Sequence, residues 1–325
     1  MRDLLDDSDV PADSLSRVFV ETTHTKEGFA CLDDLLQEGR TQNHGWGMPL
    51  LGPPRCGKTS FVVEYLRICN EGVGGRRPLR YFYVEMNKDT KPASIAYQTL
   101  HEANDPNPGF GNPAQRTERA LDAIRRWKPD VIIYDEAHYL VDSDTQKVQG
   151  DGVAWFNGLL NEIKCPLLLI GYERMERVIK RDDNTSLGGR MMPFPKFRPF
   201  DVTDPESAGE FRFVLENLEP QLGLAMPSGL ADPDTATRIC IVCQGRLGFL
   251  ELFLVKARQL ARRKGNSCLT RDTLSAAAAA VAPMWDHDSL NPFAIEDLGE
   301  AIERYRRKSG PRPTKAVPAK KGAAR

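Results

Sequence analysis

The chain has 325 residues, 41% of them hydrophobic, and a formal net charge of -1, enough to bury a substantial core in one large and one small domain. Near-neutrality excludes a global field favouring nucleic acid, so any DNA contact must come from a local basic patch. The balance is uneven: Arg304 to Arg325 holds nine Lys/Arg and no Asp/Glu, and taking those nine from -1 leaves -10 for the remainder.

Residues 1–28 begin acidic (Asp3, Asp6, Asp7, Asp9, Asp13) and carry a short apolar run, Val18-Phe19-Val20. They read as a flexible start followed by a segment docking on the main domain. Phe29 to Gln37 has helical apolar spacing. A helix just ahead of a phosphate loop flanks the adenine in many nucleotide-binding folds, although core packing explains the spacing equally well. Met48-Pro49-Leu50-Leu51 is a short strand, and it enters Gly52-Pro53-Pro54-Arg55-Cys56-Gly57-Lys58-Thr59, which matches G-x-x-x-x-G-K-[ST].

The chemistry accounts for that spacing. The glycines let the backbone curl so that successive N–H groups point at phosphate oxygens. Lys58 brings a compact positive charge to the β/γ-phosphates, and the Thr59 hydroxyl suits a Mg²⁺ shell. A helix from Lys58 through Ser60 to about Asn70 adds its N-terminal dipole to the anion site and stops at Gly72-Val73-Gly74-Gly75.

Arg80 to Met86 is aromatic and β-branched, hence a strand. The polar loop Asn87 to Pro92 ends it, and Ala93 to Ala103 reads as a helix. A breaker cluster, Asp105 to Pro113, separates this from a helix over Ala114–Trp127. Val131-Ile132-Ile133-Tyr134 is a buried strand running into Asp135-Glu136-Ala137-His138. Val153 to Ile163 is helical, and Pro166 to Gly171 is another continuous apolar strand. Buried strands alternating with helices predict a parallel sheet, an α/β nucleotide-binding core. After Phe200 the pattern turns helical (Pro205–Leu218, Asp232–Cys243, Gly248–Arg263, Thr270–Ala282). A tail follows with Trp285, Phe293, an amphipathic stretch from Glu296 to Lys308 and a Pro/Lys/Ala/Gly-rich end expected to be disordered. The expected organisation is an N-terminal segment over 1–28, the nucleotide-binding domain over 29–200, a helical lid over 201–283 and a basic tail over 284–325.

Asp135 and Glu136 complete the loop. An aspartate ending a hydrophobic strand can hold the Mg²⁺ shell, and the adjacent glutamate can deprotonate an attacking water. ATP is preferred to GTP because no guanine-reading N-K-x-D element stands in a fitting place. The spelling Asp135-Glu136-Ala137-His138 also occurs in a helicase class, but one core of this length leaves no room for two tandem motors. His138 reads as a site-lining or helix-start residue. Tyr172 follows the fourth strand, where a polar residue can sense the γ-phosphate; a turn residue packing on the lid is the alternative. Arg190 follows Leu187-Gly188-Gly189 and suits a subunit edge from which it reaches a neighbour's γ-phosphate, or is a plain surface arginine. Arg246, in Gln244 to Leu250, either folds back on the nucleotide or sits among small residues that allow helix packing. Lys88, Thr90 and Lys91 suit phosphate contacts without base readout, or belong to an ordinary solvated loop.

Seven scattered cysteines suit a reducing compartment better than a disulfide framework. Cys240-x-x-Cys243 lacks a second ligand pair at zinc spacing and reads as helix-core packing. No apolar run approaches the roughly 20 residues of a membrane span, and the acidic N-terminus is unlike a signal peptide; a soluble, cytoplasmic protein is expected.

The order of these features, Gly52–Thr59, Val131–Glu136 with His138, Leu167–Gly171 with Glu173, then Asp182, Leu187 and Arg190, and a lid with Gly245-Arg246-Leu247-Gly248, resembles the TniB/TnsC-type AAA+ ATPases. These are transposition regulators, including those of CRISPR-associated transposons. The resemblance runs from about Phe29 to Ala282 and implies a P-loop AAA+ core with a small all-helical lid. It implies ATP with Mg²⁺, ATP-dependent homo-oligomeric rings or filaments on double-stranded DNA, and disassembly on hydrolysis. It also implies partners: a DDE transposase and a TniQ-like target-selection protein. On this resemblance Lys88, Thr90 and Lys91 become the DNA-tracking element and Arg190 the finger acting in trans. The chain departs from the family pattern at Tyr172, where a smaller polar residue is usual, at Met191, where an aromatic is common, and at Phe200, which replaces a tryptophan. Another DNA-associated AAA+ protein (initiator, loader or secretion-linked) and a non-hydrolysing ATP-switched scaffold are the alternative readings.

Overall fold

The computed structural model describes residues 4–5, 15–41, 45–142, 146–180, 187–286 and 291–309. The acidic run from Asp6 to Asp13, Asp182 and the basic end beyond Ser309 lie outside them. The elements in order are α1 (Thr23–Thr41), β1 (Gly47–Leu51), α2 (Lys58–Asn70), β2 (Tyr81–Glu85), α3 (Pro92–Glu102), α4 (Pro113–Trp127), β3 (Val131–Asp135), α5 (Tyr139–Asp142), α6 (Gln146–Glu162), β4 (Leu167–Gly171) and α7 (Glu176–Ile179). After these come α8 (Pro205–Leu218), α9 (Pro233–Cys243), α10 (Leu247–Lys264), α11 (Arg271–Val281) and α12 (Leu298–Ser309).

The four strands form one parallel sheet in the order β1-β4-β3-β2. Alternation along each strand sends side chains to two separate cores. Phe82, Val84, Ile132, Tyr134, Leu167 and Leu169 face the layer holding α3, α4 and α6. Met48, Leu50, Tyr83, Val131, Ile133, Leu168 and Ile170 face α1 and α2. Both faces are covered, which is why the strands read as unbroken apolar runs. Beside β1, residues 191–197 run as an irregular edge: Met191 bridges Gly47, Met192 N–H donates to the Gly47 carbonyl at 2.7 Å and Phe197 N–H to Leu51 at 2.9 Å.

A third core belongs to α8–α11, with Phe211, Leu215, Ile239, Leu250, Phe253, Leu254 and Leu274 at its centre. It extends past the expected boundary at 283. Trp285 stacks on Phe249 at 4.4 Å and donates to the Val242 carbonyl, and Phe293 is buried. Arg238, fully buried in α9, pairs with Asp234 and donates to the carbonyls of Pro292, Ile295 and Glu296, pinning that segment. The N-terminal segment also docks more widely than expected: Leu15, Val18 and Val20 pack on this helical core, while Phe19 stacks on Phe29 of α1.

One glycine holds the two parts in register. Gly245, just past α9 at φ +65°, accepts a 2.9 Å hydrogen bond from Phe200 N–H. A β-carbon there would lie 2.0 Å from the Phe200 carbonyl oxygen. Gly265 ends α10 at a similar φ, +69°, with nothing within 4 Å of its β-carbon position. Gly265→Ala should therefore lose about 1 kcal/mol, the left-handed backbone cost alone. Gly245→Ala should lose more than about 3 kcal/mol, because backbone overlap adds to it. Urea unfolding of the two variants beside the parent checks the difference.

Candidate active site

The parallel register brings the C-terminal ends of all four strands to one edge: Leu51 pairs with Gly171, and Glu85 with Asp135. Ligands in open α/β sheets bind outside that edge. Gly52 leaves β1 with its N–H on the Gly171 carbonyl at 3.3 Å, and a β-carbon on it would lie 2.5 Å from the Phe197 carbonyl. The loop Pro53, Pro54, Arg55, Cys56 then curls, with Arg55 at φ +64° and Gly57 at φ +83° capping α2. Lys58 turns its ammonium back into this curl, donating to the carbonyls of Gly52 at 3.0 Å and Pro53 at 2.8 Å. Burial pushes the Lys58 ammonium below its ordinary pKa, and the nearby Arg246 charge acts in the same direction against the opposing carboxylates of Asp135 and Glu136. Cys56 is buried beneath the loop and its thiol is pushed up by that burial. Ser60 is exposed on the first turn of α2.

The Thr59 hydroxyl donates to Asp135 Oδ2 at 2.8 Å, and the Tyr83 hydroxyl donates to the same oxygen at 3.2 Å. Asp135 Oδ1 accepts from Glu136 N–H at 2.7 Å. This is a hard, oxygen-only donor set of the kind Mg²⁺ takes when it keeps most of its waters. Glu136 stands at φ +55°, a left-handed conformation that non-glycine residues rarely adopt. Its carboxylate is half-exposed, and burial first, then the Asp135 charge, hold its pKa above the ordinary range. That shift makes it a stronger base. Glu136 Oε2 lies 2.9 Å from His138 Nδ1, and the His138 ring stacks on Tyr172 at 3.6 Å.

The lid meets the loop directly. Gly248 N–H donates to the Arg55 carbonyl at 2.9 Å, and a β-carbon on Gly248 would lie 3.0 Å from Arg55 Cβ. This docking places Arg246, just before α10, where its charge acts on Lys58 and Cys56. Its guanidinium lies over Phe249 at 5.5 Å, and its Nε is buried without a hydrogen-bond partner. A half-buried cation with one buried, unsatisfied donor beside the buried Lys58 fits a polyanionic ligand.

Four expected residues lie elsewhere. Arg190 opens the edge segment at the start of β1, and it donates to Asn161 Oδ1. The five-residue strand between puts it roughly 13 Å along the sheet from the phosphate loop at 3.3 Å per residue, so it takes no part in its own chain's site. Lys88 and Lys91 are exposed at the end of β2, on a loop held by Gln98, which exchanges hydrogen bonds with Asn87 at 3.0 Å and donates to the Asp89 carbonyl at 3.1 Å. Thr90 departs from the expectation. It is 1% exposed and its hydroxyl faces the interior without a hydrogen-bond partner, so it presents nothing to a phosphate backbone. Cys240 and Cys243 are buried in α9 with their thiols raised by burial, Cys243 to about 12.

The role of Tyr83 was not legible in the sequence, whereas His138 was read as site-lining or helix-starting. Tyr83 reads as one more aromatic strand residue until the β2–β3 register sets it across from Ile133, two residues before Asp135. Among the described residues, no helix is long and apolar enough to cross a membrane.

A family model described as bacterial TniB protein matches residues 15–197. No curated protein matches the sequence. Among solved structures, the fold is similar to Cdc6p of Pyrobaculum aerophilum (TM-score 0.61, 17% identity, 85% of this chain and 71% of that one). It is also similar to Aeropyrum pernix ORC2 in ADPNP–ADP complexes (TM-score 0.58, 11% identity, 83% and 72%). Aeropyrum pernix ORC1, in a structure with DNA, gives TM-score 0.54 at 19% identity over 86% and 68%. At these identities the likeness shows the fold alone, a parallel-sheet α/β core with a helical domain after it.

Replacing Arg246 by methionine removes an unsatisfied buried donor while keeping the packed stem. Arg246→Met should leave the unfolding free energy within about 1 kcal/mol of the parent while weakening tripolyphosphate binding, as read by urea unfolding and calorimetric titration.

Proposed function

The chain belongs to the TniB family, and on that premise we propose that it is an ATPase that assembles with ATP on double-stranded DNA to regulate transposition. The observation carrying this reading is the split of the chemistry between two ends of the sheet. Lys58, Thr59, Asp135 and Glu136 gather at one edge without an arginine finger, and Arg190 stands at the opposite end. Two such ends complete each other when copies associate head to tail, which generates rings or helical filaments according to whether the rotation closes.

In this reading the backbone from Gly52 to Gly57 and the Lys58 ammonium take the β- and γ-phosphates, and Arg246 adds a cation from the lid. Thr59 and Asp135 would hold a magnesium ion, which when bound would supply positive charge to the phosphates. Glu136, its pKa raised, takes the proton of the attacking water, and Arg190 of the neighbouring copy stabilises the transition-state charge. Lys88 and Lys91 track the phosphate backbone of duplex DNA without reading bases, so binding weakens steeply with salt. Assembly on DNA is the output that a DDE transposase and a TniQ-like target selector read, and hydrolysis reverses it.

Electron microscopy of the protein with duplex DNA and a slowly hydrolysed ATP analogue should show rings or filaments; monomers alone would refute the reading. Glu136→Gln should prolong such assemblies and Lys58→Ala should prevent them. Arg190→Ala and Glu136→Gln should each abolish turnover, yet an equimolar mixture should recover about a quarter of parental ATPase activity, because one interface in four then joins an intact loop to an intact finger. No recovery would show that Arg190 does not act between subunits.

A further inference from the structure

The turn after β3 carries an arrangement that the residues so far assigned do not need. Glu136 is the first residue past Asp135, and its left-handed backbone sends the carboxylate back toward the turn that follows. There it comes within 2.9 Å of His138 Nδ1, a close polar contact that lacks the alignment of a hydrogen bond. His138 is itself 2% exposed. Its ring is fixed between Tyr139, at 4.6 Å, and Tyr172, against which it stacks at 3.6 Å and 18°.

Tyr172 sits at the end of β4, the strand between β1 and β3, and is thus placed to touch both halves of the site. The Lys58 ammonium lies 5.4 Å from its ring centroid and the Arg174 guanidinium 5.0 Å. Backbone geometry holds the assembly. Ala137 N–H donates to the Ile170 carbonyl at 2.8 Å. A β-carbon on Gly171 would approach His138 N at 3.0 Å and Met175 Sδ at 2.4 Å, so only glycine lets the His138 turn lie against β4.

From these contacts we propose that His138 is the positioning residue for Glu136, and that Tyr172 serves as the aromatic platform that orients His138 beside Lys58. This rests on the hydrolytic reading of the site. A carboxylate on a flexible side chain loses rate through misorientation even when its basicity is right. His138 restricts it at the oxygen, and a ring stacked on one face and packed by a second ring has little freedom of its own. The role expected of a polar sensor passes to the tyrosine ring, which contacts the phosphate-binding lysine on one side and the base-orienting histidine on the other. No group is transferred to or from His138; it acts through Glu136 alone.

The test is steady-state ATPase kinetics of the full chain with duplex DNA, alongside equilibrium binding of a fluorescent ATP analogue. His138→Ala should lower kcat on the order of 10- to 100-fold, part of what a positioned general base contributes, with KM and analogue affinity within about threefold of the parent. His138→Asn, which returns a polar group near the position of Nδ1, should recover most of that loss. Tyr172→Ala should lower kcat at least about tenfold, and Tyr172→Phe, which keeps the ring, by less than about threefold.

An unchanged or raised kcat in His138→Ala would overturn the proposal, the second outcome meaning that His138 restrains the glutamate. Failure of His138→Asn to recover activity, or equal losses in the two Tyr172 variants, would overturn it as well. Retained analogue binding shows that a variant is folded. A parent that turns over no ATP, or turns it over at the same rate as Glu136→Gln, would instead refute the hydrolytic reading beneath it.

Discussion

A single hydrogen bond, 2.8 Å from the Thr59 hydroxyl to Asp135 Oδ2, joins two strands that are not neighbours. Thr59 follows β1 and Asp135 ends β3, with β4 between them. For the two oxygens to meet, β4 must end flush with both and fill little space. Gly171 does this: its carbonyl accepts from Gly52 on one side, and its missing side chain admits the His138 turn on the other. The whole edge follows from that alignment. Tyr83 reaches Asp135 because β2 is in register with β3, and Tyr172 reaches His138 and Lys58 because it is the next residue along β4.

The lid is set by the same kind of constraint. Gly245 lets the segment entering the lid pass within hydrogen-bond reach of the end of α9, and Gly248 lets α10 begin against Arg55. Between them stands Arg246, held with a buried donor unsatisfied beside Lys58. A buried cation and a half-buried one in the same corner are unfavourable for folding by themselves. A site that retains such a conflict is arranged for a ligand of opposite charge, as functional sites depart from the rules that hold elsewhere in a fold.

Charge follows a different logic at the surface. The acidic surplus of the chain outside its last 22 residues leaves duplex DNA little to approach except locally presented lysines. Lys88 and Lys91 are presented on a loop whose backbone is tied to Gln98 of α3 rather than left free. Met86 N–H donates to the Asp135 carbonyl at 3.0 Å, so this loop begins one residue from the edge that carries the acidic pair. In the proposed reading, a DNA-contacting loop and the acidic pair on adjacent strand ends offer a short physical path between DNA contact and turnover.

Much was legible in the residues alone. The phosphate loop, the buried strands, the acidic pair and the helical lid are local or periodic signals, carried by residue types a few positions apart; the strands stand within a residue or two of where the pattern puts them, while α1 and α6 begin well before the apolar runs at Phe29 and Val153 that marked them. The alignment of strand ends was not legible, because register is a long-range outcome of which faces can be buried together. Thr90 shows the limit: its polar side chain and loop setting suit a phosphate contact, but the packing of the loop against α6, with the Thr90 carbonyl close to Gly152, turns it inward. Arg190 was singled out by its place after Gly188-Gly189, whereas its distance from its own phosphate loop depends on the edge segment running beside β1. The sequence by itself determined which chemistry the chain can carry, since that depends on local residue types. Tertiary structure decided which of those residues share one site and which stand at the far end of the sheet, since that depends on strand order and register.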